Sequence, residues 1–196
     1  MSKLLLHELK DEKSDLHLTN DSDLRFLAVV KNSEISLNFD IIHENKSFEC
    51  YVIIPFLSNQ NVKLNLNANI QANNSKTTIN IIALAHDNSS ITLNWNLHIQ
   101  QWIKKVEAML YEEALLLWNA KYISLIPWLR VDSPDVIASH WAKIHRISPE
   151  RLFYMQSRGL ALDRAIDMIV NSYWQQIVDK LHLDEKEKSD FYSMIY

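Results

Sequence analysis

The chain has 196 residues and a mass of 23.0 kDa, enough for one domain with a substantial core or a core with a small appended subdomain, but not for two large domains. It is 47% hydrophobic and 22% charged, which excludes disorder as the dominant state, and its formal net charge of -4 lacks the basic excess that counterion-driven binding to nucleic acid requires. The one cysteine, Cys50, closes no internal disulfide and furnishes no thiolate cluster, pointing to a reducing cytoplasm, and the one glycine, Gly159, excludes the glycine-rich loops that cradle nucleotides.

The first residues mix Lys3, Lys10 and Lys13 with Glu8, Asp11, Glu12 and Asp15, a pattern that predicts a frayed or solvated lead-in within residues 1–20. Only three consecutive apolar residues precede His7, far short of a signal peptide's apolar core. The apolar run Tyr51 to Leu57 contains Pro55 and is too short to cross a bilayer as a helix, so no membrane insertion is expected. Between Leu24 and Leu57, short apolar runs separated by polar clusters give a strand-and-turn rhythm. Ile35, Leu37, Phe39 and Ile41 alternate with Ser36, Asn38 and Asp40, the period of a half-buried strand.

From Ser58 to Gln100 the only charges are Lys63, Lys76 and Asp87, while Asn fills eleven of the 43 positions, a surface unlike the rest of the chain. Val62, Leu64, Leu66, Ala68, Ile70 and Ala72 alternate with polar residues, and Ile91, Leu93, Trp95 and Leu97 repeat the pattern. Evenly spaced strands with few charges favour stacked strands carrying Asn ladders, a β-helix-like solenoid rather than an ordinary sandwich. With so little glycine, turns that need positive φ are expected to use Asn.

Periodicity leaves Gln100 to Asn119 open between helix and strand. Pro127 and Pro134 bracket Trp128 to Val131, which reads as one short extended piece between turns. The last fifty residues are helical in pattern. Ser148 caps a helix that starts at Pro149, with Glu150 in its first turn and Gly159 closing it in a left-handed conformation. Leu162, Ala165, Ile166, Ile169, Val170, Tyr173, Ile177 and Leu181 mark a long amphipathic helix, and Asp184 caps a polar last one. The expected organisation is a β-helix-like core over residues 1–146 and a helical segment over 147–196.

Catalytic chemistry has little to stand on. Most of the eight histidines are scattered singly among turns and polar faces, and the odd separation of His140 and His145 would put them on opposite faces of a strand. Ser139 beside His140 is too close for a triad, and Glu112-Glu113 and Asp184-Glu185 read as solvated charge. No nucleophile, metal set or phosphate loop emerges.

One stretch is more specific. Ala114-Leu115-Leu116-Leu117, then Asn119-Ala120-Lys121, Pro127-x-Leu129, Asp135-Val136-x-Ala138-Ser139-His140, Glu150-x-Leu152-Phe153-Tyr154-x-x-Ser157-Arg158-Gly159-Leu160 and Ala165 resemble the SufB/SufD family of iron-sulfur cluster assembly scaffolds. The resemblance implies a right-handed parallel β-helix followed by C-terminal helices, and it favours strands for residues 100–119. It also implies a non-catalytic, SufD-like subunit that pairs with a SufB-like or identical subunit and docks a SufC-type ABC ATPase, which supplies the work.

By the same resemblance His140 is the candidate ligand for a transient iron-sulfur cluster shared with a partner, while this chain binds no nucleotide. Against the family's pattern, no counterpart of its helical N-terminal domain is expected in this sequence, and its β-helix is expected to be shortened. Where the family has small residues after the histidine, this chain has Trp141-Ala142-Lys143, and Trp141 is expected to crowd the backbone and shield His140. Phe153, Tyr154, Met155, Arg158 and Tyr173 are the candidate ATPase contacts, with aromatic and arginine anchors suited to an interface. Joining two like subunits edge to edge would hide an exposed sheet end, so a dimer is expected. The competing reading is a cluster-free β-helix adaptor that retained the fold.

Overall fold

The computed structural model describes residues 3–9, 14–19, 23–31, 34–58, 60–86, 88–117 and 120–196. Its chain divides into two compact units, Met1–His145 and Arg146–Tyr196. Among the described residues the first unit holds eleven strands: β1 (Lys3–Leu9), β2 (Ser14–Thr19), β3 (Leu24–Val30), β4 (Glu34–Ile41), β5 (Ser47–Ser58), β6 (Asn61–Ile70), β7 (Lys76–His86), β8 (Ser90–Ile99), β9 (Lys104–Leu116), β10 (Tyr122–Val131) and β11 (Asp135–Arg146). Odd strands form one sheet in the order β1-β3-β5-β7-β9-β11, and even strands form the other in the order β10-β8-β6-β4-β2. The pairings β1–β3, β3–β5, β5–β7, β7–β9 and β2–β4, β4–β6, β6–β8, β8–β10 are all parallel. Chain order that alternates between two parallel sheets is a β-solenoid, as the Asn-rich alternation predicts.

The register keeps one residue type over the next. Leu37, Leu66 and Trp95 stack facing inward, and Asn38, Asn67 and Asn96 stack facing outward. Between the sheets lie Phe26, Phe39 and Phe48, all nearly inaccessible, with ring centroids 5.8 Å and 4.9 Å apart along the series. Burying each such ring contributes roughly 2 kcal/mol by area removed from water. Outside, the Asn67 side-chain amide donates to Asn38 Oδ1 at 2.9 Å and that of Asn94 to Asn65 Oδ1 at 3.1 Å, so the polar columns satisfy one another along the stack. Lys63 reaches Glu34 at 3.2 Å and Lys76 reaches Glu107 at 3.0 Å across adjacent turns.

Corners stack as well as strands. Asn45, Asn74 and Asn88 take positive φ, as expected for a chain with one glycine, although Trp102, Lys105 and His182 do so too. At one corner Asn73 accepts the Lys104 N–H on Oδ1 at 2.8 Å and donates its amide to Glu44 at 2.6 Å, linking three successive turns.

Two expectations are corrected. Residues 3–9 and 14–19 of the expected lead-in are strands, β1 pairing with β3 and β2 with β4, and Leu9 is buried in the core. Nor does Pro127 break the chain: β10 runs from Tyr122 through Pro127 to Val131. It is the edge strand of its sheet, where an absent N–H costs no ladder bond on the open side. Residues 104–116, ambiguous by periodicity, are strand β9.

The second unit has three helices, α1 (Pro149–Ser157), α2 (Leu162–Leu181) and α3 (Glu185–Ile195). Ser148 accepts the Arg151 N–H, and Asp184 forms a capping box with Glu187. Gly159 sits at φ +89°, with its N–H bonded to the Gln156 carbonyl at 2.9 Å. On α2 the apolar stripe is buried as its spacing predicts, except that Trp174 is the fully buried aromatic and Tyr173 is only half-buried. No helix among the described residues is long and apolar enough to cross a membrane.

Candidate functional site

His140 lies on β11, the edge strand of the odd-numbered sheet. Strand alternation turns it inward with Val136 and Ala138, toward the solenoid interior. There its Nε2 is 2.9 Å from Glu112 Oε2, and its ring centroid lies 6.0 Å from that of Trp95. Glu112 is on β9, one turn earlier, in the inward series Val106, Ala108, Leu110, Glu112, Ala114, and it is fully buried. Burial pushes its carboxyl above the ordinary carboxylate range, and the hydrogen bond to His140 pulls partly in the opposite direction. The Trp95 indole N–H also faces this carboxyl and helps to lower its pKa, although neither it nor Glu112 Oε1 forms a hydrogen bond of ordinary geometry. The reading of Glu112-Glu113 as solvated charge therefore fails at Glu112. The missed signal was the alternation itself, which places Glu112 in an otherwise apolar column.

The opposite face of β11 has different chemistry. Glu113 Oε1 lies 3.4 Å from both Lys143 Nζ and His145 Nε2. Burial, then the Lys143 charge, lowers the His145 pKa. His140 and His145 thus serve different sides of the strand, as their separation predicts. Trp141 occupies the outer face with 47% exposure, and since neighbouring strand residues point to opposite faces it does not cover His140. The expected shielding is corrected by that alternation.

Among the described residues no three His, Cys, Asp or Glu side chains gather as a metal set. Cys50 is fully buried on β5, and burial holds its thiol well above the ordinary range. The donors on the inner face of β11 are one imidazole and one buried carboxylate, too few to hold a cluster without further ligands. A cavity of about 430 Å³, lined by Trp102, Ile103, Ser133 and Pro134 among others, lies on the corner turns and does not include His140.

The last solenoid turn exposes apolar surface that the sequence reading did not single out. Trp128 and Ile126 project from β10, and Ile137 and Trp141 from β11, while Leu129, Val131 and Ile144 are also partly open to solvent. These strands end their sheets, so no following turn covers them. The helical unit supplies a second apolar surface. α1 has no buried residue; Phe153 is 74% and Tyr154 58% exposed. Arg158 lies over the Tyr154 ring at 5.4 Å, and its Nη2 donates to the Tyr154 hydroxyl at 3.3 Å. Met155 and Tyr173 are half-buried. Phe153, Tyr154 and Arg158 share α1 and its cap, whereas Tyr173 stands on α2 and His140 belongs to the first unit.

Comparison with known proteins points to one family. The family described as "SUF system FeS cluster assembly, SufBD core domain" matches residues 11–173. An iron-sulfur cluster assembly SufBD family protein of Staphylococcus saprophyticus is 25% identical over 114 residues, covering 58% of this chain and 24% of that protein. Protein ABCI7, chloroplastic, of Arabidopsis thaliana is 26% identical over 97 residues, covering 50% and 20%, respectively. The SufBD family protein ycf24 of Galdieria sulphuraria is 30% identical over 78 residues, covering 40% and 35%. The matched segments therefore span about a third or less of these relatives.

Proposed function

The chain belongs to the SufBD core-domain family of iron-sulfur cluster assembly proteins, and from that membership we propose that it is a non-catalytic, SufD-like scaffold subunit of a SUF complex. Its open solenoid end, β10 and β11, meets a SufB-like or identical subunit. His140 offers an imidazole to a cluster carried transiently between the two chains, and α1 with Arg158 docks a SufC-type ABC ATPase. The proposed setting is the cytoplasm.

The observation that carries this reading is the placement of His140. It sits in the family-like string Asp135 to His140, on the edge strand of the last turn, with its ring at the open end of the core. A partner coil laid against the open edges of β10 and β11 would pair with their outer backbone groups and lie beside Trp128, Ile137 and Trp141. An imidazole in such a seam can share iron with thiolates supplied across it. The exposed pair Phe153 and Tyr154, anchored beside Arg158, has the composition of an interface centre.

Anaerobic co-expression with the SufC-type ATPase and the SufB-like protein of the same organism tests the reading. Wild type is expected to retain the ATPase and to yield a complex that can be loaded with iron and sulfide. Arg158→Ala combined with Phe153→Ala should release the ATPase with helix content unchanged, and His140→Ala should lose the cluster but keep the ATPase. ATPase retention with no cluster in wild type would favour the cluster-free adaptor, a reading supported by the poor local donor set of one imidazole and one carboxylate. Absence of both would end the scaffold proposal.

A further inference from the structure

The carboxylate beneath His140 is the one ionisable side chain in an otherwise apolar column of β9. Glu112 interrupts a column of Val106, Ala108, Leu110 and Ala114, is fully buried, and makes its one well-formed hydrogen bond with His140, with the Trp95 indole N–H as a further polar neighbour. A leucine would fill that column without the desolvation cost of an ionisable group. What a carboxylate does supply is a strong acceptor for one chosen ring nitrogen.

A neutral imidazole has one N–H and one bare nitrogen, and the partner of the first decides which is the second. Nε2 faces Glu112 Oε2 at 2.9 Å, and Nδ1 has no partner among the described residues. Trp95 packs at 6.0 Å from the ring on its interior side. We infer that Glu112 is a positioning residue: its carboxylate accepts the Nε2–H of His140, holding the ring as that tautomer and leaving Nδ1 as the nitrogen available to iron. A carboxylate behind the ring also makes the bare nitrogen a better donor. The inference rests on the proposed role of His140 and assigns the residue behind it.

The test reads the ring directly, without metal. In the full-length protein labelled with ¹⁵N-histidine, long-range ¹H–¹⁵N correlation at mildly alkaline pH reports the tautomer of each neutral imidazole, and the His140 signals are assigned by their loss in His140→Asn. The expected result is a single Nε2–H form at His140 in wild type, replaced in Glu112→Leu by a mixture of both neutral tautomers. Glu112→Gln, nearly isosteric, should also populate the Nδ1–H form, because its amide can donate to Nε2. An Nδ1–H form in wild type, as a protonated Glu112 donating to the ring would produce, overturns the inference. So does an unchanged Nε2–H form in both variants, and the wild-type spectrum decides even if a variant does not fold. Pulsed EPR on the loaded, reduced complex separately tests the ligand role. Histidine-nitrogen coupling absent from wild type would remove His140 as a ligand and, with it, the purpose assigned to Glu112, even where the tautomer is as expected.

Discussion

Asn67 and Asn38 stand 29 residues apart in sequence and 2.9 Å apart in space, the amide of one donating to the carbonyl of the other on the outer face of the even-numbered sheet. Asn94 and Asn65 repeat the relationship with the same separation. Equal spacing at two positions shows that these turns have one length, so a side chain chosen for one turn meets its like on the next.

Replacing Asn67 with Ala removes one solvent-facing rung. The expected loss is about 0.5 kcal/mol, the low end for a single hydrogen bond, read as a lower urea midpoint with an unchanged slope. Asn67→Asp should cost more, about 1 kcal/mol, because a carboxylate has no N–H for the Asn38 oxygen it faces.

The Arg130–Asp132–His98 cluster gives the fold a pH signature. Hydrogen bonds from Arg130, then from His98, hold the Asp132 carboxyl below its ordinary value of 3.8. A folded-state pKa lower than the unfolded one stabilises the protein above the unfolded value, and that stabilisation is lost as pH falls through the folded value. Asp132→Asn is therefore expected to melt below wild type at neutral pH, with the gap closing in acid below 3.8. Melting temperatures of both proteins across that range check it, and a gap that widens in acid would contradict the assignment.

Gly159 is the one position where positive φ falls on a glycine. A Cβ there meets nothing within 4 Å, so the cost of Gly159→Ala is backbone conformation alone, about 1 kcal/mol. Thermal unfolding followed by far-UV circular dichroism should show that loss, with Gly159→Asn intermediate because Asn tolerates the left-handed region.

Most of the solenoid was readable because its strands bury one face and wet the other. In β4, β6 and β8 the alternation is nearly unbroken, and the shortage of charge beside abundant Asn marked the ladders. The helical unit was readable from Ser148, Asp184 and Gly159, whose capping roles are local. What escaped depended on neighbours distant in sequence. β1 and β2 look like a charged lead-in until β3 and β4 pair with them. Pro127 looks like a breaker until β10 is known to be an edge. Glu112 carried a usable signal in its column, but adjacent Glu113 disguised it as ordinary surface charge. The exposed apolar residues of β10 and β11 resemble core residues in composition, and only the end of the stack distinguishes them.

Turns that repeat in register make the rod modular. Removing the 29 residues from Phe39 to Asn67 would bring an equivalent rung into the vacated place, with inward residues still inward. Such a fold can be lengthened or trimmed in whole coils while its last two coils, and the carboxylate and imidazole they pair, stay as they are. The body of the protein is thus free to change in size under evolution without renegotiating the chemistry at its tip.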